Sequence, residues 1–214
     1  MKVISTNISD IQVIKFRGKN VKTGIFKYPT TEAIFLGKED VAKDNVVDRR
    51  YHGGFDKACY LYSTAHYNYW KVLYPNLKFD FGMFGENLSI DALFENKIYI
   101  GDIYQLGEAK VQISQPREPC FKLGARFETQ KVVHQFLKAD FPGIYLRVLE
   151  EGNVSIGDEM TLLESPEKLL TVLEYYRTLV DKIPNEDFKQ RTLKSKFVRE
   201  KKKEEIIKMT NRHL

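Results

Sequence analysis

Short apolar stretches broken by turn residues dominate the first three quarters of the chain. Val3-Ile4, Ile11 to Phe16 and Ala33 to Leu36 are rich in β-favouring residues, the last run ended by Gly37. Lys57-Ala58-Cys59-Tyr60-Leu61-Tyr62 follows a glycine pair and reads as a buried strand, and Ala109 to Ile113 alternates as strands do. Tyr99-Ile100-Gly101-Asp102-Ile103-Tyr104 and Ile156-Gly157-Asp158-Glu159-Met160-Thr161-Leu162 share one pattern: an apolar residue, a Gly-Asp turn, then a new strand. That pattern suits successive corners of a closed sheet. Many short strands and few helices predict a mainly β fold, a closed β-barrel, over residues 1–163.

Two helices interrupt the strands. Ser63 to Tyr74 places His66, Tyr69, Trp70 and Leu73 on one face, and Thr129 to Asp140 does the same with Val132, Val133, Phe136 and Leu137. Both are expected to lie as lids on the barrel. For Tyr67 and Trp70 two uses stay open, core packing or the wall of a cleft for flat rings. After Glu164 the pattern changes. Ser165-Pro166-Glu167 reads as an N-cap, a first-turn proline and an early acid, and Leu169, Val172, Leu173, Tyr176, Leu179 and Val180 follow at helical spacing. A second helix is expected at Pro184-Asn185-Glu186-Asp187 and a third from about Ser195 to Asn211. Residues 164–214 thus form a three-helix appendage too small to bury a core alone, which needs the barrel or a partner.

Composition changes this picture in few places. With 214 residues and 43% hydrophobic content, the chain is an ordinary globular protein. No run approaches the roughly 20 apolar residues that span a bilayer. The first residues lack the pattern of an export signal, and two cysteines lie 61 positions apart. A reducing, cytoplasmic setting without membrane attachment follows as the expectation, and no stable nucleic-acid partner is expected. The net charge of +5 is uneven: Lys189 to Leu214 holds ten Lys or Arg against three Glu, leaving residues 1–188 at −2. This basic tail is either a solvated helix face or a docking surface for an acidic partner.

Three polar segments break the strand pattern. In Asp48-Arg49-Arg50-Tyr51-His52-Gly53-Gly54-Phe55-Asp56-Lys57, the paired glycines permit positive φ and close approach of backbone N–H groups. With Arg50, His52 and Lys57 alongside, the segment is either an anion cradle or a hairpin turn with surface charges. In Phe84-Gly85-Glu86-Asn87-Leu88-Ser89, Asn87 can read a heterocycle edge, with Glu86 orienting it or pairing with a base; a Gly-Asx turn explains the segment equally well. The third is Ser114-Gln115-Pro116-Arg117-Glu118-Pro119-Cys120-Phe121-Lys122-Leu123. Its prolines stiffen the loop and keep it out of a regular ladder, Arg117 offers a planar fork of donors, and Cys120 sits among cations that suit ligation or attack on electrophiles. Cys59, inside an apolar strand, is expected to be an inert buried thiol. His66 and His134 lack paired ligands, and no Cys-x-x-Cys zinc spacing, P-loop or dinucleotide fingerprint is present.

Taken in order, these residues resemble the MOSC family, named after the C-terminal domain of molybdenum cofactor sulfurases, and most of all its YiiM-like members. The resemblance rests on His52-Gly53-Gly54 with Asp56-Lys57, His66-Tyr67 through Tyr69-Trp70, Phe84-Gly85-Glu86-Asn87-Leu88, Gly101-Asp102-Ile103, and Gln112 through Gln115-Pro116-Arg117-Glu118-Pro119-Cys120-Phe121-Lys122-Leu123. It covers nearly the whole chain, because YiiM-like proteins also carry a C-terminal three-helix segment. The resemblance implies a barrel that binds a pterin-based molybdenum cofactor, with Cys120 as protein thiolate to the metal beside the cofactor's own dithiolene sulfurs. Enzymes of the family reduce N-hydroxylated compounds, notably hydroxylamino purines, to amines. On that basis Cys120 and His52 are the expected catalytic residues, His52 delivering a proton. Arg50, His52, Gly53, Gly54, Lys57 and Arg117 would hold the cofactor's phosphate and orient the pterin, and Glu86 and Asn87 would hydrogen-bond the pterin or substrate. With no iron–sulfur cysteine set, a separate flavin or iron–sulfur reductase is expected to supply electrons, docking at Lys201, Lys202 and Lys203. A non-catalytic cofactor carrier and a persulfide-transfer protein are the alternatives, and a homodimer is allowed.

Overall fold

The structure, a computed structural model, describes residues 1–47, 49 and 52–211. Among these the chain begins with β1 (Val3–Ile8), the hairpin β2 (Gln12–Phe16) and β3 (Lys19–Thr23), then β4 (Tyr28–Thr30) and β5 (Ile34–Leu36). Next come β6 (Cys59–Ser63), α1 (Tyr67–Leu73), β7 (Leu88–Ile90), β8 (Ile103–Leu106) and β9 (Ala109–Pro116). Helices α2 (Phe121–Arg126) and α3 (Lys131–Lys138) precede β10 (Ile144–Glu150), β11 (Gly152–Val154) and β12 (Met160–Glu164). The chain finishes with α4 (Val172–Asp181), α5 (Glu186–Lys194) and α6 (Glu200–Thr210).

The closed barrel expected from the Gly-Asp corners is not formed. Eight strands make one open mixed sheet in the order β12-β8-β9-β10-β6-β7-β1-β4, with β6 and β7 parallel. The β12 edge meets the start of β1 through the bridge between Lys2 and Glu159, with Met160 N–H donating to Met1 O at 2.7 Å and Val3 N–H to Asp158 O at 2.9 Å. Closure stops there because β1 already has two neighbours. β7 takes one edge, and β4 takes the other from Thr6 to Ile8, so only the first residues of β1 are left for β12. Along β12, Thr161 to Glu164 face solvent.

Strand β6 divides the interior by its two-residue period. Cys59 and Leu61 point into an aliphatic core with Leu88, Ile113, Ile144 and Leu146, while Tyr60 and Tyr62 point into an aromatic one. Every residue of β6 is buried, as a strand covered on both faces requires. Trp70 is completely buried, stacks on Phe136 at 5.7 Å and donates its indole N–H to Tyr62 Oη at 2.7 Å. Tyr67 is also buried, so α1 is a packing element. The apolar face of α1 differs from the expected one, because Tyr69 and Leu73 are exposed and Tyr67 and Trp70 are inside. Such aromatic pairs add about 0.5–1.5 kcal/mol each beyond area burial.

The helical segment shares the aliphatic core: Leu170, Val172, Tyr175, Phe188, Val198 and Ile206 pack with the sheet residues. Helix α4 starts later than Ser165-Pro166-Glu167 suggested. Leu170 and Val172 are occupied in extended pairing, with Ile100 N–H donating to Leu170 O and Val172 N–H to Ile98 O, both at 2.9 Å. Ser165 Oγ donates to Asp102 instead of capping a helix, and Thr171 caps α4 by accepting from Glu174 N–H at 3.1 Å. Asn185 does the same for α5, accepting from Phe188 N–H at 2.8 Å. Gly101 lies directly beneath this segment. Its φ of +95° excludes most side chains, and an added Cβ would lie 2.2 Å from the Phe197 ring. No helix of the described residues is long and apolar enough to cross a membrane.

Candidate functional site

Cys120 stands where β9 gives way to α2. The strand keeps its pairing as far as Pro116, opposite Ile144, so the ladder runs further than the prolines suggested. Cys120 is then extended (φ −128°, ψ 172°) and starts α2, its carbonyl accepting from Leu123 N–H at 2.9 Å. The thiol is partly buried, and Sγ lies 3.9 Å from His52 Nε2. Cys59 is sealed in the core, and burial pushes its thiol far above the ordinary range.

Two cavities meet at this thiol. The inner one, about 650 Å³ of atom-free space open to solvent, is lined by Cys120, His52, Gly53, Lys57, Asn87 and Arg117 among others. The outer one, about 1610 Å³, shares Cys120, His52, Gly53, Lys57, Lys122 and Tyr145 with it and is walled on the far side by Arg199, Lys201 and Lys202. The structure thus brings together Cys120, His52, Gly53, Lys57, Asn87 and Arg117 of the residues expected from sequence. Arg50 lies outside the described residues.

The polar groups differ in what they have left to offer. Arg117 is buried between Tyr60 and Phe136, with its guanidinium carbon 5.2 and 5.1 Å from the ring centres. Burial works against its charge, but Tyr60, Tyr145 and Cys120 around it outweigh that and hold its pKa above the ordinary value. Its Nη1 is buried with no hydrogen-bond partner among the described residues. An orphaned cationic donor in a cavity wall is an acceptor's place. Lys57 has its ammonium 5.4 Å from the Tyr145 ring, and burial, with Arg199 nearby, lowers its pKa.

Glu86 is spent. Wholly buried and absent from both cavity walls, it accepts from Gly82 N–H at 2.9 Å, Phe84 N–H at 3.0 Å, Ser89 Oγ at 2.9 Å and Tyr67 Oη. Burial still raises its pKa against those donors. Its expected hydrogen bond to a pterin or substrate therefore has no free lone pair to use. Asn87 reaches the inner cavity but is also engaged, donating to Asp44 at 3.0 Å and accepting from Tyr60 N–H at 3.3 Å. Gly54 falls outside both walls, and its N–H donates to Glu39 O at 2.8 Å. Gly53 (φ +72°) does line them, and a Cβ there would crowd Val46 at 3.0 Å.

Sequence reasoning missed three contributors. Lys27 and Asp44 form a buried ion pair in the inner wall, hidden in sequence because neither lies near a motif. Tyr145 belongs to β10, a strand not anticipated. The N-terminal end of α6 is the third: Arg199 pairs with Asp56 at 3.4 Å and donates to Gln115 Oε1 at 3.3 Å, and Lys202 pairs with Glu118 at 3.1 Å. Asp56 also holds Arg147 at 2.6 Å, so the acid of the Asp56-Lys57 pair anchors the helical segment to the site. The Lys201-Lys202-Lys203 run was visible as charge, but nothing in its spacing placed Lys201 and Lys202 in one cavity wall with Cys120.

Among the described residues no group of three or more His, Cys, Asp or Glu could cage a metal ion. A single soft thiolate fits a metal that brings its own sulfur ligands, and the orphaned Arg117 suits an anionic group beside it. The donor set therefore fits a molybdenum–pterin cofactor.

Several known proteins match this chain. The profile of the MOSC domain matches residues 48–161. The uncharacterized protein YflK of Bacillus subtilis is 39% identical over 170 residues, covering 79% of this chain and 76% of that protein. A protein named reductase from Gibberella moniliformis is 32% identical over 165 residues, 76% of this chain but 29% of its own length. The crystal structure of YiiM from Geobacillus stearothermophilus superposes with a TM-score of 0.81 at 27% identity, covering 98% of each chain.

Proposed function

The chain belongs to the MOSC domain family as a YiiM-like member, and from that premise we propose that it is a molybdenum-cofactor-dependent reductase of N-hydroxylated compounds. The observation that carries this reading is the partly buried Cys120 at the meeting of two cavities, with Nη1 of Arg117 lacking an acceptor among the described residues of the inner wall. A relative named reductase supports the redox class.

Cys120 would ligate the metal, and Arg117 and Lys57 would face the cofactor's anionic groups from the inner wall. The bound group supplies the two-electron couple that breaks the N–O bond. Overall, a hydroxylamine takes up two electrons and two protons and leaves as the amine and water. His52, whose Nε2 lies 3.9 Å from the thiol, would hand one proton to the departing oxygen. Tyr60, Phe84 and Tyr145 line the inner wall and limit the water around that transfer. Electrons would come from a separate flavin or iron–sulfur reductase.

Metal analysis of the protein made in a host that synthesises the cofactor tests this first; molybdenum well below one atom per chain would sink it. Reduction of a hydroxylamino purine by the loaded protein with an artificial electron donor then separates an enzyme from a carrier.

A further inference from the structure

The β2–β3 hairpin is built differently from the rest of the strand region. Its turn residues Arg17 (φ +49°) and Gly18 (φ +76°) both take positive φ, the tight geometry that joins two strands directly. The strands pair from Gln12 opposite Thr23 to Phe16 opposite Lys19, as a two-stranded sheet separate from the eight-stranded one. Among the described residues, none of β2 or β3 joins either apolar core. Such a hairpin is marginal in water unless something covers one of its faces. Gln12, Ile14 and Phe16 are the half-buried positions of β2, while Val13 and Lys15 between them are exposed.

An aromatic stack near the turn supplies that cover. Phe16 lies on Phe121, with ring centres 4.1 Å apart and planes 24° from parallel. Phe121 follows Cys120 in the chain and lines the outer cavity with it. An open groove flanks the stack on either side. One, about 970 Å³, runs between Val21 and Lys22 of β3 and Val47, Phe121 and Lys122. The other, about 720 Å³, separates Ile14 and Lys15 of β2 from Gly124 and Glu128. The base of the hairpin is pinned instead. Ser9 N–H and Oγ both donate to Asp44 at 2.9 Å, and Asn45 Nδ2 donates to Ser9 O at 2.6 Å. On the returning strand, Gly24 passes so close to Asn45 O that an added Cβ would lie 1.8 Å from it.

We propose that the β2–β3 hairpin is a flap, latched by the stack of Phe16 on Phe121, and that releasing the latch widens the approach to Cys120. The pinned ends at Ser9 and Gly24 are the pivot, and the paired strands swing as one piece. The groove beneath β3 shares Phe121 and Lys122 with the outer cavity, so lifting the hairpin joins the two spaces. Thr23 and Gly24 line the inner cavity, which sets the pivot beside the site. The flap requires neither a bound cofactor nor reductase activity, and it stands or falls apart from the reading above.

Modification rates of Cys120 in the cofactor-free full chain test the flap. Iodoacetamide serves as the small reagent and fluorescein maleimide as the bulky one, with labelling at Cys120 followed by peptide mass spectrometry. Phe16→Ala is expected to speed the bulky reagent about tenfold and the small one by less than about twofold, the scale of one ring stack. Phe16→Trp keeps a ring for the stack and should return the bulky reagent to the parent rate. The urea midpoint of Phe16→Ala should stay near that of the parent, because the hairpin lies outside both cores. An unchanged bulky rate in Phe16→Ala would overturn the proposal. Equal acceleration of both reagents would do the same, since that is general loosening of the site. A bulky rate still raised in Phe16→Trp removes the stack as the latch. A urea midpoint that falls in step with the labelling rate also sinks the flap, because global unfolding then exposes the thiol.

Discussion

The loop carrying Glu86 and the turn carrying Cys120 look alike in sequence, each a polar interruption between strands, yet they serve opposite ends. Glu86 sits among four donors that consume its oxygens. The Cys120 turn is open by contrast: Arg117 has a buried nitrogen with no acceptor among the described residues, and the thiol has His52 at 3.9 Å and two cavities before it. Hydrogen-bond satisfaction separates the two where residue type could not. A carboxylate closed on itself builds the fold, whereas a buried cation left open waits for a ligand.

Exchanging the two kinds of residue should produce opposite phenotypes. Cys120→Ser has the largest expected effect, complete loss of bound molybdenum with stability unchanged within about 0.5 kcal/mol. Cys59→Ser should keep the metal and lose about 1–2 kcal/mol, since it buries a hydroxyl in an apolar core. Metal content and urea unfolding on the same samples check both; a Cys120→Ser protein that retains molybdenum removes the site assignment. Glu86→Ala is next. It strands buried donors of Gly82, Phe84, Ser89 and Tyr67 and should cost about 3–5 kcal/mol by urea titration. If it leaves stability untouched but abolishes reduction, Glu86 is a functional group after all and the contrast fails.

Gly101→Ala tests whether the helical segment belongs to the site. The added methyl meets the Phe197 ring and forces alanine to a φ of +95°, so roughly 2–3 kcal/mol should be lost. Because Phe197 O accepts from Arg147 Nη2 at 2.7 Å and Arg147 shares Asp56 with Arg199, the damage should reach the rim of the outer cavity. Proteolysis within 195–211 of Gly101→Ala, set against the parent protein, reads that loosening directly.

What the sequence could reveal follows the range of the forces involved. Local signals came through: the strand at Cys59, the helix start within Pro184 to Asp187, and positive φ at Gly53 and Gly54 each depend on residues within a few positions. Contacts between distant segments did not. Sheet closure was unreadable because the competition of β4 and β12 for the edge of β1 joins the two ends of the strand region. Ser165-Pro166 has every mark of a helix start, and pairing of Leu170 and Val172 with Ile98 to Ile100 overrides it. At the site, the Cys120 turn and the His52 loop were legible as motifs. The walls from Lys27, Asp44 and α6 were not, since chain separation of this kind leaves no periodicity to detect.

The smallest predicted effect sets two buried carboxylates against each other. Asp44 accepts from Ser9 N–H and Oγ, both at 2.9 Å, from Asn87 at 3.0 Å, and pairs with Lys27. Burial alone would push its pKa up, but Lys27 and these donors outweigh burial and hold it below the ordinary value. A carboxyl depressed in the folded state adds stability that is present above its unfolded pKa, about 4, and is lost as pH falls through the depressed value. Glu86 has donors but no cation, burial wins, and its raised pKa acts the other way, favouring the fold as it becomes protonated. Lys27→Met should convert Asp44 to the Glu86 case. Urea midpoints between pH 6 and pH 3 should fall for the parent protein and fall less, or rise, for Lys27→Met. Equal slopes would mean that the ion pair does not set the charge of the inner wall, and that Asp44 is held by its hydrogen bonds alone.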